Sequence, residues 1–129
     1  MVFLRYHLPV IVYAVLIFVG SSLSSLPPEM PIFNFRDKIL HFCEFGGLGL
    51  LFWRSIRLWN IRWKRWPILM LAWGLGIGYA ASDEIHQLFV PGRQADVSDW
   101  LADIIGLAAG LGAAYIFSRN SRIEKSLPD

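Results

Sequence analysis

The chain has 129 residues, enough for one domain, and 55% of them are hydrophobic, with a mean hydropathy of +0.46. So small a soluble domain has too little interior to hide that much apolar surface, which excludes an ordinary water-soluble globule. The net charge of +2 conceals 12 basic and 10 acidic residues that are segregated along the chain.

The pattern predicts an all-α, polytopic membrane protein: a single domain over residues 1–129, with four transmembrane helices joined by short loops. The helices are expected at about residues 8–25, 37–54, 67–87 and 98–118. Their apolar cores are at or slightly below the ~20 residues of an upright span, so the flanking polar residues belong in the interface or just inside it. In the first segment, Arg5, the apolar run and Ser21, Ser22, Ser24 and Ser25 also fit a cleavable signal peptide. The length of the run favours a retained helix.

The second segment opens with Asp37 and Lys38. His41 and Glu44 follow at i+4 and i+7 from Asp37, so the three form one stripe bordered by Lys38. His41 and Glu44 lie one and two turns inside the apolar stretch, where ionisable groups are expensive and mark sites. Cys43 is the sole cysteine; it cannot form a disulfide within the chain and reads as a small buried hydrophobe. A basic loop follows, with Arg54, Arg57, Arg62, Lys64 and Arg65 flanked by Trp53, Trp59, Trp63 and Trp66 as interfacial anchors.

In the third segment Asp83, His86 and Gln87 share a face that continues into the small residues Ala80 and Gly76. Gly74 and Gly78 offer a second small face, which would permit a homo-oligomer. Glu84 turns away from the Asp83–Gln87 face, leaving a solvated interfacial role and a site role both open. Pro91-Gly92 is a turn signal, and the turn returns Arg93 over the cluster, where it can clamp a carboxylate or a phosphate. The fourth segment carries Asp96, Asp99 and Asp103 on a stripe that runs into Gly106 and Gly110, a packing face. Asp96 and Asp99 equally fit helix caps, as does Asp37, and Lys38 fits a snorkelling cation.

Nine basic residues fall at the termini and in the middle loop, against Arg36, Lys38 and Arg93 in the other two connections. The positive-inside rule therefore places both termini in the cytoplasm of a multi-pass plasma-membrane protein. Eight of the acids lie in the outer half with those three cations, a formal charge of −5. The basic loop is better matched to anionic lipid than to nucleic acid, for which no partner role is expected.

Asp37-Lys38 with His41-Phe42 and Gly47-Leu48-Gly49, and the long run Ser82-Asp83-Glu84-Ile85-His86-Gln87-Leu88-Phe89-Val90-Pro91-Gly92-Arg93 followed by Asp96, Asp99 and Gly106, resemble the two motifs of the VanZ-like membrane proteins. Leu26-Pro27-Pro28 is similar to the proline-bearing connection after that family's first helix. Asp103 stands where the pattern more often has asparagine, which adds a charge. The resemblance implies a bacterial cell-envelope protein, in a family that includes one linked to reduced teicoplanin susceptibility; it fixes architecture better than mechanism.

Resemblance and cluster position together suggest an outward-facing polar site at headgroup depth. Membrane lipids are the expected partners, with a lipid-linked cell-wall precursor as a candidate ligand. Asp37, Lys38, Gln87, Arg93, Asp96, Asp99 and Asp103 are the binding candidates. His41, Glu44, Asp83 and His86 are the candidates for catalysis, should the protein be an enzyme, with Lys38 and Arg93 stabilising developing charge. No cofactor is expected, though the carboxylates and imidazoles suit a divalent cation; no H-E-x-x-H signature is present. The competing readings are a non-catalytic structural or interaction module, in which the same charges lock the helices, and an oligomeric proton- or ion-coupled transporter.

Overall fold

The computed structural model describes residues 2–23, 35–59, 62–93 and 95–120. They form four helices, α1 (Val2–Ser22), α2 (Phe35–Trp59), α3 (Arg65–Gln87) and α4 (Val97–Asn120), with no strand among the described residues. At 1.5 Å per residue each helix is about 31–38 Å long, close to the thickness of a bilayer core. Ser24, Ser25 and Leu26-Pro27-Pro28, with Glu29, Arg122 and Lys125 of the charge division between the two sides, lie outside the described residues.

Helices α1, over Phe3–Ser22, and α4, over Val97–Ser118, are long and apolar enough to cross a membrane. Helices α2 and α3 are as long but carry more charge, so apolarity alone supports two spans of the expected four. The helices also run past their apolar cores: α1 starts at Val2 and α2 continues to Trp59. Hydrogen bonding along a helix does not stop where hydropathy does, and Arg54 and Arg57 extend α2 beyond its apolar part.

Both ends of the bundle are defined by side-chain contacts. At the basic end Phe3 and His7 stack against Trp59, the Ser55 hydroxyl is 2.6 Å from His7 Nδ1, and Trp53 and the Arg65 guanidinium both meet the Tyr115 ring. At the other end Ser21 of the α1 C-terminus meets Asp83 of α3, Lys38 and His41 of the α2 N-terminus meet Asp99 and Asp103 of α4, and Glu84 of the α3 C-terminus meets the Asp96 N–H at the start of α4. Helices α1 and α3 therefore run one way, and α2 and α4 the other.

The most extensive interface is between α2 and α4, and it is built on missing side chains. A Cβ on Gly106 would strike the Phe42 carbonyl, and one on Gly110 would strike the Gly46 carbonyl. These helices are parallel neighbours whose backbones touch in matched register, as the small face of α4 suggested. Gly76 of α3 receives Leu107 in the same way. The core around this seam is Phe45, Leu48, Ile68, Ala72, Ala80, Leu107 and Leu111.

The outer surface is strongly apolar. Leu4, Leu8, Ile11, Val12, Val15, Leu16 and Val19 are all exposed on α1, and Leu101, Ile105, Ile116 and Phe117 on α4. Cys43, expected inside, is exposed instead. It follows Phe42 onto the outward side of α2, where an apolar residue needs no burial in protein if lipid surrounds it.

The seam yields the first prediction. Gly106→Ala and Gly110→Ala should each destabilise the bundle by at least ~1–3 kcal/mol, because backbone carbonyls cannot move aside. Gly74 and Gly78 face open space, so Gly74→Ala and Gly78→Ala should be neutral or gain up to ~1 kcal/mol from helix propensity. Unfolding in detergent, followed by circular dichroism, separates the two pairs; equal effects would refute the seam.

Candidate functional site

The α2–α4 seam carries its register into the polar end. Four residues before the Phe42–Gly106 contact, Lys38 faces the start of α4, and its ammonium sits 2.7 Å from Asp99 Oδ1 and 3.2 Å from Asp96 Oδ2. One residue before that contact, His41 Nδ1 lies 2.9 Å from Asp103 Oδ1. Asp103 is fully buried, Asp99 and His41 nearly so. Lys38 is only 14% exposed, so it is an internal counter-ion and not a snorkelling cation.

Glu84 of α3 completes this group. It is buried, not solvated, and its Oε2 accepts the Asp96 backbone N–H at 3.1 Å. The sequence held the signal for this position. Ile68, Ala72, Gly76, Ala80 and Glu84 recur every four residues and are all buried, so the small stripe continues into Glu84 as well as into Asp83. Asp83 looks the other way, toward α1: Ser21 Oγ donates to its Oδ1 at 2.6 Å and Gln87 Nε2 to its Oδ2 at 3.1 Å. His86 Nε2 is 2.9 Å from Ser22 Oγ and its ring stacks on Phe18.

The candidate residues thus divide into two groups. Lys38, His41, Glu84, Asp96, Asp99 and Asp103 form one, at the junction of α2, α3 and α4. Asp83, His86 and Gln87 form the other with Ser21 and Ser22, whose place after an apolar run also fits a processing signal. Asp37 approaches His41 and Asp99 from the α2 side. Glu44 is half-buried between the groups, close enough to His41, Asp83 and Arg93 to feel their charges.

The Val90–Arg93 turn closes through Arg93 N–H to Val90 O at 3.1 Å. Gly92 has φ +82°, which with Pro91 before it is the type II turn that the dipeptide signals. Arg93 Nε is buried without a hydrogen-bond partner among the described residues.

Asp96 caps α4. Its Oδ1 accepts the Ser98 N–H at 2.8 Å, and its carbonyl accepts the Asp99 and Trp100 N–H groups, as an N-cap does. Hydrogen bonds from Ser98, side chain and backbone, hold the Asp96 carboxyl at about 2, well below its ordinary 3.8, and the Lys38 ammonium adds to the effect. Asp99 spends its carboxylate on Lys38, so a capping role falls to Asp96.

The VanZ/LLP1 family model matches residues 8–118, a span that contains every candidate residue above. The chain belongs to the VanZ/LLP1 family. Searches of curated proteins and of solved structures give no match. Membership and the two apolar helices identify a membrane protein.

Two predictions follow from these pairs. Lys38→Met leaves Asp99 buried without its counter-ion and should cost ~3–5 kcal/mol of stability, whereas Lys38→Arg should retain most of it; equal losses would show that charge is not the issue. For Asp96 the lowered value means that its contribution is present above the unfolded carboxyl range and is lost as pH falls through about 2. Asp96→Ala should therefore lower the melting temperature at pH 6, by the ~1 kcal/mol of a lost cap, and the gap to wild type should shrink between pH 4 and pH 2. A gap that is unchanged at pH 2 would rule out the ionised cap.

Proposed function

We propose that this VanZ/LLP1 protein spans the plasma membrane four times with both termini in the cytoplasm, and that its polar end faces outward and binds, or acts on, the headgroup of a lipid or lipid-linked cell-wall precursor. The sidedness rests on the nine-to-three division of basic residues. A link to glycopeptide (teicoplanin) susceptibility follows from the resemblance to that family.

The observation that carries the lipid reading is the hollow beside the polar cluster. Ala81, Ile85, Ala95, Val97 and Trp100 line about 280 Å³ of mainly apolar space, and Glu84 and Asp96 border it. The Trp100 indole N–H is buried and has no hydrogen-bond partner among the described residues. Apolar wall, an indole ring and carboxylates lie side by side, which suits the boundary between headgroup and acyl chain. The exposed Leu88 and Phe89 extend the apolar surface at the same end.

A second reading has its own support: Lys38–Asp99 and His41–Asp103 tie α2 to α4, Ser21–Asp83 ties α1 to α3, and the Asp96 N–H on Glu84 joins α3 to the start of α4, as a structural module requires. Filling the hollow separates the two. Ala81→Trp leaves every one of these pairs in place, so it should accumulate and melt like wild type yet lose most of the protein's effect on teicoplanin susceptibility. An Ala81→Trp protein with full effect would count against a lipid-binding hollow. Sidedness is checked in a Cys43→Ser background, where an impermeant thiol reagent on intact cells should label Gly92→Cys and not Trp63→Cys; the reverse pattern would overturn the orientation.

A further inference from the structure

Most carboxylates at the polar end are served. Asp83 receives Ser21 and Gln87, Asp99 receives Lys38, and Asp96 receives Ser98 and Lys38. Glu84 and Asp103 differ. Each has one oxygen satisfied, by the Asp96 N–H and by His41 respectively. Glu84 Oε1 and Asp103 Oδ2 are buried with no hydrogen-bond partner among the described residues. Glu84 is 8% exposed and Asp103 0%, so bulk water does not solvate either one. Two such oxygens in one place require a proton or a cation, because unsatisfied buried carboxylates are strongly destabilising.

The arrangement favours a cation. One ligand atom each from His41, Glu84 and Asp103 lies within 4.8 Å of the others, and all three residues are buried. We propose that His41, Glu84 and Asp103 bind a divalent first-row transition-metal ion such as Mn²⁺ or Zn²⁺ through one imidazole nitrogen and two carboxylate oxygens. Ligands held ~2.1 Å from an ion lie about 3–3.5 Å apart, so modest side-chain rotations close the site. The imidazole selects against Mg²⁺ and Ca²⁺, which prefer all-oxygen sets. The nearby set of Asp37, His41 and Asp99 is less suited, since Asp99 already holds the Lys38 ammonium. Three protein ligands leave coordination positions for water or another oxygen ligand.

This proposal stands apart from the lipid reading and is tested without lipid. Full-length protein in detergent is stripped with chelator, and Mn²⁺ and Zn²⁺ are titrated in by calorimetry. The expected result is one ion per chain, with affinity at least about tenfold weaker in Glu84→Gln and Asp103→Asn. Asp83→Asn, whose residue is turned toward α1, should bind like wild type. Circular dichroism and size exclusion establish that each variant is folded. Should either site variant fail to fold, the wild type decides: pulsed electron paramagnetic resonance of bound Mn²⁺ should show coupling to an imidazole nitrogen. No stoichiometric binding, wild-type affinity in folded Glu84→Gln, or bound Mn²⁺ without nitrogen coupling would each overturn the site.

Discussion

Everything at the polar end depends on two helix backbones touching where side chains are absent. Gly106 and Gly110 let α4 lie directly on the carbonyls of Phe42 and Gly46, and a parallel pair so close has little freedom to slide. The same register, carried back toward the N-termini, sets Lys38 against Asp99 and His41 against Asp103. Buried ion pairs contribute little net stability, since desolvation consumes most of their attraction. The order of cause therefore runs from packing to electrostatics. Glycine contacts and the core around Phe45, Leu48 and Leu107 position the helices, and the charged pairs report that position and punish departures from it.

The sequence was most legible where one residue type has one physical use. Pro91-Gly92 announced its turn, the glycines after Asp103 announced a packing face, and the segregation of acids from bases announced two distinct ends. It was least legible where a helix has two neighbours. Periodicity defines faces but not what each face meets, so Asp83 and Glu84, a hundred degrees apart on an ideal helix, were separated correctly without revealing that one addresses α1 and the other α4. Ser21 and Ser22 were obscured for another reason: small residues after an apolar run have a processing explanation that hides their use as hydrogen-bond partners for Asp83 and His86. Cys43 illustrates the membrane itself, because exposure beside lipid carries none of the cost that exposure in water would.

The division into two groups changes the meaning of the acidic end. Of its two unequal halves, the α1–α3 group is internally complete: serine hydroxyls, a glutamine amide and an aromatic ring supply what Asp83 and His86 need. Such a group fixes the position of α1, which has few buried residues of its own. The α2–α3–α4 group is incomplete, with buried oxygens on Glu84 and Asp103 lacking partners among the described residues. Interiors that serve only stability satisfy their polar atoms. Incompleteness concentrated at one junction, next to an apolar hollow, is what a site for an external group looks like.

Charge gives that incompleteness its direction. Asp37, Glu44, Asp83, Glu84, Asp96, Asp99 and Asp103 share this end with Arg36, Lys38 and Arg93, seven acids against three cations near the bundle mouth. Lys38 is already divided between Asp96 and Asp99, so it cannot also draw in an anion without releasing an acid. A headgroup phosphate approaching such a mouth would meet repulsion unless positive charge sits within it, and Arg36 and Arg93 offset only two of the acids. A divalent ion between His41, Glu84 and Asp103 would reverse the balance locally, neutralising both orphaned oxygens while offering an open face to an incoming oxygen ligand. On this argument an uncompensated acidic cluster and a phosphate-bearing ligand are incompatible, and the proposed ion would reconcile them.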